Sequence, residues 1–359
     1  MKRRRHNHNY CLPNCENKDR LSDLPNCLLL HILSFLNAER VVRTCILSKR
    51  WNNLWKSLPV LTLGSVKKSN QFMSKILSCR DSSATLHTLD FHSYAIRKPG
   101  QVKWIIEYAV SHNVRHLDIY LKGRFQEFPS CLFSCGTLTS LKLTVFLPSM
   151  FTKRLFFPNS LNLPALTSLS LRSFTFLVGD DGRVEPFSAL NKLNSLVINR
   201  CEVLGAKNLG ISSATLVNLT IIMSDRAPTA SFGFELSTPS LITFHFIGHP
   251  LQKLCQSNGN LSTVKRVSID VKYWIYEANT PLVLLNWLDE LANIKSLTLT
   301  SSTLKVLSHA PRLLKSEFSS LCNMESLNVK KKYSSSILDD GLVKFLLQNS
   351  PSAEVNIVD

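Results

Sequence analysis

Residue types that often carry catalysis or bind metals are present, but they form no recognisable motif. The 359 residues contain no phosphate-binding glycine-rich loop, no Gly-x-Ser-x-Gly and no His-Glu-x-x-His. The ten histidines are dispersed, without carboxylates at telling spacings. Cys131 and Cys135 lie in an apolar segment, which favours inert buried thiols over a reactive pair. We therefore predict no catalytic residue, no metal site and no cofactor.

The first 18 residues are polar and basic and are predicted to be a disordered tail. Residues 2–5 are Lys-Arg-Arg-Arg, which can serve as a nuclear localisation signal or simply be a solvated tail. No apolar segment follows, so we expect no secretory signal peptide and an intracellular protein, in the nucleus, the cytoplasm or both. The potential zinc ligands in this tail match no zinc-finger spacing; they are His6, His8, Cys11 and Cys15.

The composition is that of a globular chain with a positive charge. It is 44% hydrophobic and carries 42 Lys and Arg against 25 Asp and Glu, a formal charge of +17. Nucleic acid must therefore be considered as a partner. No apolar run is long enough to span a bilayer, so we expect no membrane partner. The ten scattered cysteines are typical of a reducing compartment.

The stretch 21–58 contains three short helices by pattern, at about residues 24–36, 38–44 and 48–55. Asp23 is positioned to cap the first helix, and Pro25 is expected in its first turn. Apolar residues surround this helix on most sides. Such a short stretch cannot bury that much apolar surface by itself, so the surplus must contact the rest of the chain or a partner.

The stretch resembles the F-box, in the plant branch that carries leucine-rich repeats. The matching residues are Leu24-Pro25, Leu28, Ile32-Leu33, Phe35-Leu36 and the run from Leu47 to Trp55. The resemblance implies docking onto the adaptor subunit of a cullin-based (SCF) ubiquitin ligase. The residues we predict for this contact are Leu24, Pro25, Leu28, Ile32 and Leu36, with Trp51 and Trp55 holding the third helix in place. A three-helix bundle packed into the rest of the protein is the alternative.

Two departures from the F-box pattern bear on adaptor binding. Asn37 replaces the proline that the family usually has after the first helix. Asn26-Cys27 stands where an acidic residue is common. Either change could weaken the contact, although neither removes the apolar residues.

The remaining chain carries an internal repeat of the form apolar-x-x-apolar-x-apolar. The intervals average about 26 residues, within the range of leucine-rich repeats. The repeats start at Leu86, Val114, Leu138, Leu166, Leu193, Leu216, Leu241, Val264, Ile294 and Met324, with a further copy at Leu58.

This repeat predicts an α/β fold in which the three-helix F-box precedes an irregular leucine-rich-repeat solenoid. Each unit contributes one short strand to a curved parallel sheet, with helices and loops on the convex side. Leu89 and Phe91 should face the core, and Asp90 should face outward. Helices are predicted at 102–110 and 282–291. Only Cys201 occupies a position where such repeats usually carry Asn or Cys to bond the turn.

Four segments follow from these patterns. They are the tail at 1–18, the F-box at 19–58, the repeats at 59–333 and a C-terminal helix and strand at 334–359. The last segment resembles the end of the FBD module found in this family, and we expect it to cap the last repeat.

The resemblance implies a non-catalytic substrate-recognition subunit of an SCF ligase, whose repeats bind a protein. A binding scaffold that does not assemble with the ligase is an alternative, and a nucleic-acid binder is a less favoured one because the concave face gathers little positive charge. The first two repeats place polar and aromatic residues on adjacent strands. We predict that these residues contact the substrate: Asp90, His92, His116, Asp118 and Tyr120.

Overall fold

A computed structural model describes most of the chain. The described residues are 21, 23–64, 70–94, 99–147, 154–179, 182–223, 232–251, 254, 261–272, 279–291, 293–309, 321–331, 340–348 and 350–358. The N-terminal tail, with the basic residues 2–5 and the potential zinc ligands, lies outside the described residues.

The predicted three helices of the N-terminal region are present. They are α1 (Asn26–Ser34), α2 (Ala38–Arg43) and α3 (Trp51–Leu54). Turns of 3-10 helix follow α2 at Thr44–Ile46 and α3 at Trp55–Ser57.

The start of α1 differs from the prediction. Pro25 occupies the N-cap position with an extended backbone, and no side chain caps the helix, so Asp23 does not have the role expected of it. The carbonyl oxygen of Pro25 instead accepts hydrogen bonds from the N–H groups of Leu28 and Leu29, both at 3.1 Å. Proline fits here because the N-cap position needs only a carbonyl acceptor from the backbone.

Twelve parallel strands form one sheet in the order β1-β2-β3-β4-β5-β7-β10-β12-β13-β14-β15-β16. Two pairs, β6 with β8 and β9 with β11, form small separate sheets. In chain order the strands are β1 (Val60–Gly64), β2 (Thr88–Ser93), β3 (His116–Lys122), β4 (Ser140–Phe146), β5 (Ser168–Arg172), β6 (Thr175–Leu177), β7 (Ser195–Asn199), β8 (Glu202–Leu204), β9 (Asn208–Ser212), β10 (Asn218–Ile222), β11 (Gly233–Ser237), β12 (Thr243–Gly248), β13 (Arg266–Val271), β14 (Ser296–Thr300), β15 (Ser326–Lys330) and β16 (Glu354–Val358).

The predicted repeats coincide with the strands of the large sheet. Every predicted start, from Leu58 to Met324, lies two residues before a strand. The strands pair in register, so equivalent repeat positions lie side by side. Leu196 of β7, for example, lies between Leu169 of β5 and Leu219 of β10, and all three are fully buried. The solenoid architecture predicted from the sequence is therefore confirmed.

Burial alternates along most strands of the large sheet. The second and fourth residues are buried, whereas the first, third and fifth lie on the opposite side of the sheet, which we call the open face. It corresponds to the predicted concave side. Leu89 and Phe91 are buried and Asp90 lies on the open face, as the two-residue period of a strand requires.

Helices cover the other side of the core in parts of the chain. They are α4 (Asn70–Cys79), α5 (Pro99–Ser111), α6 (Thr280–Glu290), α7 (Ser301–Leu307) and α8 (Asp340–Leu346), with a 3-10 helix at Ser130–Ser134. The helices predicted at 102–110 and 282–291 are α5 and α6. In α5 the buried residues Val102, Ile105 and Ala109 recur at helical spacing and face the core.

The two small sheets were not predicted from the sequence. They occupy the middle of the solenoid, where only loops or helices were expected behind the strands. Phe176 of β6 packs against Phe157 and Phe187, with ring centroids 5.6 Å apart in both contacts. All three rings are almost completely buried. Aromatic side chains from β6, from a neighbouring segment and from a turn therefore fill the core here.

The C-terminal segment extends the sheet. Helix α8 buries Leu342 and Leu346, and β16 pairs with β15. Val355 and Ile357 pair with the buried Leu327 and Val329 but are 39% and 54% exposed. Among the described residues, no element covers the core side of β16. No helix in the described part of the chain is both long and apolar enough to cross a membrane.

Candidate functional site

Arg50 joins the first and third helices of the N-terminal region. Its Nε and Nη2 atoms donate to the Asn26 side-chain oxygen at 2.9 and 2.7 Å, and Nη2 also donates to the carbonyl oxygen of Leu24. Asn26 is one of the two departures noted in the F-box pattern. Its amide oxygen accepts the guanidinium without a carboxylate, so the link between the helices is kept.

The other departure, Asn37, also has a structural role. Its side-chain oxygen accepts a hydrogen bond from the backbone N–H of Arg40 at 3.0 Å, which caps α2. Asparagine is among the best N-cap residues because it satisfies one of the free N–H groups of the first turn. The residue therefore supplies a helix cap in place of the conformational restriction of a proline.

Packing divides the apolar residues of α1 into two sets. Leu29 and Leu33 are buried in the core, whereas Leu28, Ile32 and Phe35 are exposed. The exposed three are spaced by four and then three residues, which places them on one face of the helix. Phe35 is 76% exposed. We call this row of three side chains the α1 face.

A second exposed apolar site follows α2. Ile46 is 89% exposed and Leu47 is 60% exposed, at the end of the 3-10 turn. Isolated apolar residues are common on protein surfaces. Five large ones within twenty residues, on a small helical region, are instead typical of an interaction site.

The residues predicted to contact the adaptor fall into three classes of burial. Pro25, Leu28 and Ile32 are exposed. Leu24 and Leu36 are half-buried and pack against the core, and Trp51 and Trp55 are buried. The positions of the tryptophans suit the structural role predicted for them. Phe35, Ile46 and Leu47 were not singled out for adaptor contact, although Phe35 lies seven residues after Leu28, a spacing that could have indicated it.

The residues predicted to contact a substrate lie on two adjacent strands. Asp90 of β2 pairs in register with Asp118 of β3, and His92 pairs with Tyr120. His116, at the start of β3, is exposed and lies two strand positions before Asp118. The structure therefore places all five residues on one part of the open face.

Charges in this region are partly compensated. Lys142 of β4 donates to an Asp118 carboxylate oxygen at 2.7 Å. The pKa of Asp90 is raised, first by burial and then by the neighbouring Asp118 carboxylate, while His92 and a hydrogen bond from Thr62 partly oppose the shift.

An aromatic row crosses the C-terminal ends of the same strands. The ring centroid of Tyr120 lies 5.4 Å from that of Tyr94 and 5.2 Å from that of Phe146. The guanidinium carbon of Arg172 lies 4.3 Å from the Phe146 ring centroid. His92 lies beside the row, 5.7 Å from Tyr120. We call Tyr94, Tyr120, Phe146 and Arg172 the ladder.

Most of the ladder was not identified from the sequence. Of its four residues only Tyr120 was singled out there; Tyr94 and Phe146 occupy the repeat position where leucine-rich repeats usually carry Asn or Cys. The repeat period could have indicated the ladder, because both residues lie at the end of the strand segment in their own repeats.

The described cysteines differ in exposure: Cys135 and Cys201 are buried, Cys45 and Cys131 are half-buried, and Cys27, Cys79 and Cys322 are exposed. Cys201, the one residue that fits the turn position, is buried, and its Sγ donates to the carbonyl oxygens of Asn199 and Leu171 at 3.6 and 3.7 Å. Burial raises the pKa of its thiol to about 12. Burial also raises the pKa of the Cys131 thiol. Within the described residues, no three His, Cys, Asp or Glu side chains are grouped so that they could hold a metal ion.

Comparison with known proteins identifies the family. Residues 21–63 match the F-box domain model. An F-box/LRR-repeat protein of Arabidopsis thaliana is 30% identical over 303 residues, which cover 81% of this chain and 92% of the relative. The chain belongs to the plant F-box/leucine-rich-repeat family.

Other F-box proteins align with this chain over different shares of their length. An FBD-associated F-box protein of Arabidopsis thaliana is 27% identical over 347 residues, covering 93% of this chain and 76% of the relative. An F-box/FBD/LRR-repeat protein of the same plant is 29% identical over 239 residues, covering 65% of this chain. The aligned part spans about half of that relative, 54% of its length.

Proposed function

We propose that this F-box protein is a substrate-recognition subunit of an SCF-type ubiquitin ligase. The F-box binds the adaptor and through it a cullin, and the repeats bind a protein substrate. The observation that supports this proposal most directly is the α1 face, an exposed apolar row within the segment that matches the F-box model.

The α1 face offers enough apolar surface for an anchor. Fully burying a Leu, Ile or Phe side chain contributes about 1.5–3 kcal/mol each relative to exposure. Aromatic side chains near the centre of an interface often dominate its binding energy. Phe35 is the most exposed residue of the α1 face and is positioned to act in this way. Ile46 and Leu47 add to the contact, while Leu24, Leu36, Trp51 and Trp55 support it from within.

The open face suits a protein substrate better than a nucleic acid. The first, third and fifth residues of ten of its strands include four basic and three acidic residues. These strands are β2–β5, β7, β10 and β12–β15. A nucleic acid would need several cations converging on one place, and its binding would weaken about a thousandfold between about 50 and 200 mM salt with six or more phosphate contacts. Protein recognition needs no such excess. The substrate site on Asp90, His92, His116, Asp118 and Tyr120 is part of this proposal.

In this role the chain contributes proximity rather than chemistry. A substrate held on the repeats meets the charged conjugating enzyme of the ligase at a high effective concentration. The chain itself then needs no nucleophile, general base or cofactor.

Substitution of the α1 face tests adaptor binding. We expect Ile32→Ala combined with Phe35→Ala to weaken co-purification with the adaptor at least about tenfold, because both side chains lose their buried contact with the partner. Phe156→Ala is the matched control, since Phe156 is a half-exposed phenylalanine outside the F-box. Circular dichroism should be the same for all variants.

The double variant Leu24→Ala with Pro25→Ala should also abolish adaptor binding, but it is the less selective test because Leu24 packs against the core. Normal adaptor binding by the Ile32 and Phe35 double variant would contradict the proposed interface. Failure of the unaltered chain to bind the adaptor would support the alternative of a scaffold that does not assemble.

A further inference from the structure

The ladder ends in the Arg172 guanidinium, which lies against the Phe146 ring but has no anionic partner among the described residues. Within the described parts of the chain, the Arg172 guanidinium forms no hydrogen bond or ion pair, and its Nε atom is buried. Burial lowers the pKa of Arg172, and the positive charge of Arg200 lowers it further. Arginine stays charged in proteins, so an anion against the guanidinium would supply the hydrogen-bond acceptors that it lacks.

Two other polar atoms nearby are also buried without a partner. The Asn199 side-chain oxygen lies on β7, where Asn199 pairs in register with Arg172. One carboxylate oxygen of Asp118 bonds Lys142, and the other has no partner. Buried polar atoms are normally hydrogen-bonded. Three buried polar atoms without a hydrogen bond on one part of the open face therefore indicate where a partner supplies the missing bonds.

The chemistry of this region suits a peptide. The two oxygen acceptors, on Asn199 and Asp118, can receive backbone or side-chain N–H groups, and the Arg172 guanidinium can receive an anion. Between them, Tyr94, Tyr120 and Phe146 form an apolar surface of three rings. A nucleic acid fits less well, because the acidic Asp90 and Asp118 lie beside the rings.

We propose that the ladder binds an extended segment of the protein substrate, with an Asp or Glu carboxylate against Arg172 and an aromatic or aliphatic side chain against Tyr120 and Tyr94. A carboxylate is the matching anion because its two oxygens can accept two parallel N–H groups of one guanidinium. The inference rests on the proposed function, since it specifies the class of substrate that the repeats recognise.

Selection from random peptides displayed on phage tests the proposal without a known substrate. The immobilised full-length chain should select peptides in which an acidic residue stands at a fixed spacing from an aromatic or aliphatic residue. Arg172→Gln should remove the acidic preference, and Tyr120→Ala should remove the apolar one. Arg266→Gln is the matched control, because Arg266 lies on the open face of β13 and contacts Thr243, away from the ladder. It should select the same peptides as the unaltered chain.

A selected peptide then allows a double-mutant cycle. Changing its acidic residue to the corresponding amide should weaken binding to the unaltered chain about tenfold or more, the usual effect of losing a charge-assisted hydrogen bond. The same change should have little effect on Arg172→Gln, because the partner charge is already absent. The amide peptide also tests the proposal if Arg172→Gln fails to fold.

Three results would overturn the proposal: selection of peptides with no acidic preference, equal losses in Arg172→Gln and Arg266→Gln, or binding of a phosphoserine peptide when its carboxylate counterpart does not bind. Adaptor co-purification is measured on the same proteins. Normal adaptor binding without acidic selection would refute the ladder proposal alone, whereas absent adaptor binding with acidic selection would refute the ligase role alone.

Discussion

Leu196 provides a sharp test of the repeat register. It is the second residue of β7, in the middle of the sheet, and it is fully buried between the equally buried Leu169 and Leu219. We expect Leu196→Ala to lower the free energy of unfolding by about 3–5 kcal/mol. Ser195→Ala, one residue earlier on the open face, should cost less than about 0.5 kcal/mol.

The expected magnitude follows from the position of the side chain. Truncation to alanine removes three carbon atoms, each worth about 0.8 kcal/mol of transfer free energy. A cavity term adds to this loss, because rows of leucine on both sides prevent the site from collapsing. The sum lies in the upper part of the range measured for buried leucines, about 2–5 kcal/mol. Val355→Ala, at the equivalent position of the half-exposed β16, should cost under about 1 kcal/mol.

Urea unfolding of the full-length chain, followed by circular dichroism, measures these differences. A repeat array can unfold in more than one step, so the three variants should be compared at the same transition. Equal losses for Leu196→Ala and Ser195→Ala would refute the assigned alternation of buried and open positions. A large loss for Val355→Ala would mean that the core side of β16 is covered.

Three further predictions concern two residues, Cys201 and Asn37. Burial raises the pKa of the Cys201 thiol from 9.0 to about 12, so native Cys201 should resist alkylation by iodoacetamide while the exposed Cys27 and Cys322 react. Mass spectrometry of peptides measures the alkylation of each cysteine. Rapid alkylation of Cys201 would contradict its burial. The unfolded chain releases this thiol proton near pH 9 and the folded chain only near pH 12. The free energy of unfolding should therefore fall as the pH rises from about 9 toward 12. Asn37→Ala should lower the free energy of unfolding in urea by about 1 kcal/mol, because it removes the cap of α2. Asn53→Ala, which changes an exposed asparagine within α3, should be nearly neutral. Equal effects of the two substitutions would exclude a capping role for Asn37.

Short-range patterns determined the repeats. A strand exposes alternate residues on opposite faces, so the spacing of apolar residues from Leu86 to Met324 was sufficient to predict the strand positions and which residues are buried. Neighbouring repeats stack because no single unit can bury its own apolar row, and the regular spacing of the sequence therefore also predicted the order of most strands. The small sheets were missed because β6, β8, β9 and β11 lie between these repeats and follow no period.

Within α1 the sequence could not separate buried from exposed residues. The helix is apolar on most sides, so its pattern gives no reliable direction to the core. The contacts of α1 with α3 and with the 3-10 turn that follows α3 place Leu29 and Leu33 inside and leave Phe35 in solvent. Likewise, Asn26 and Arg50 are 24 residues apart, and only the fold shows that they meet.

The ladder required the tertiary structure for the same reason. Tyr94, Tyr120, Phe146 and Arg172 each belong to a different repeat, and nothing in one repeat indicates which residues of the next lie beside it. In-register pairing of β2 to β5 brings the three rings and the guanidinium to the same edge of the open face. The sequence thus determined the strands and their buried rows through local periodicity, whereas the packing of distant segments decided which exposed side chains form a common surface.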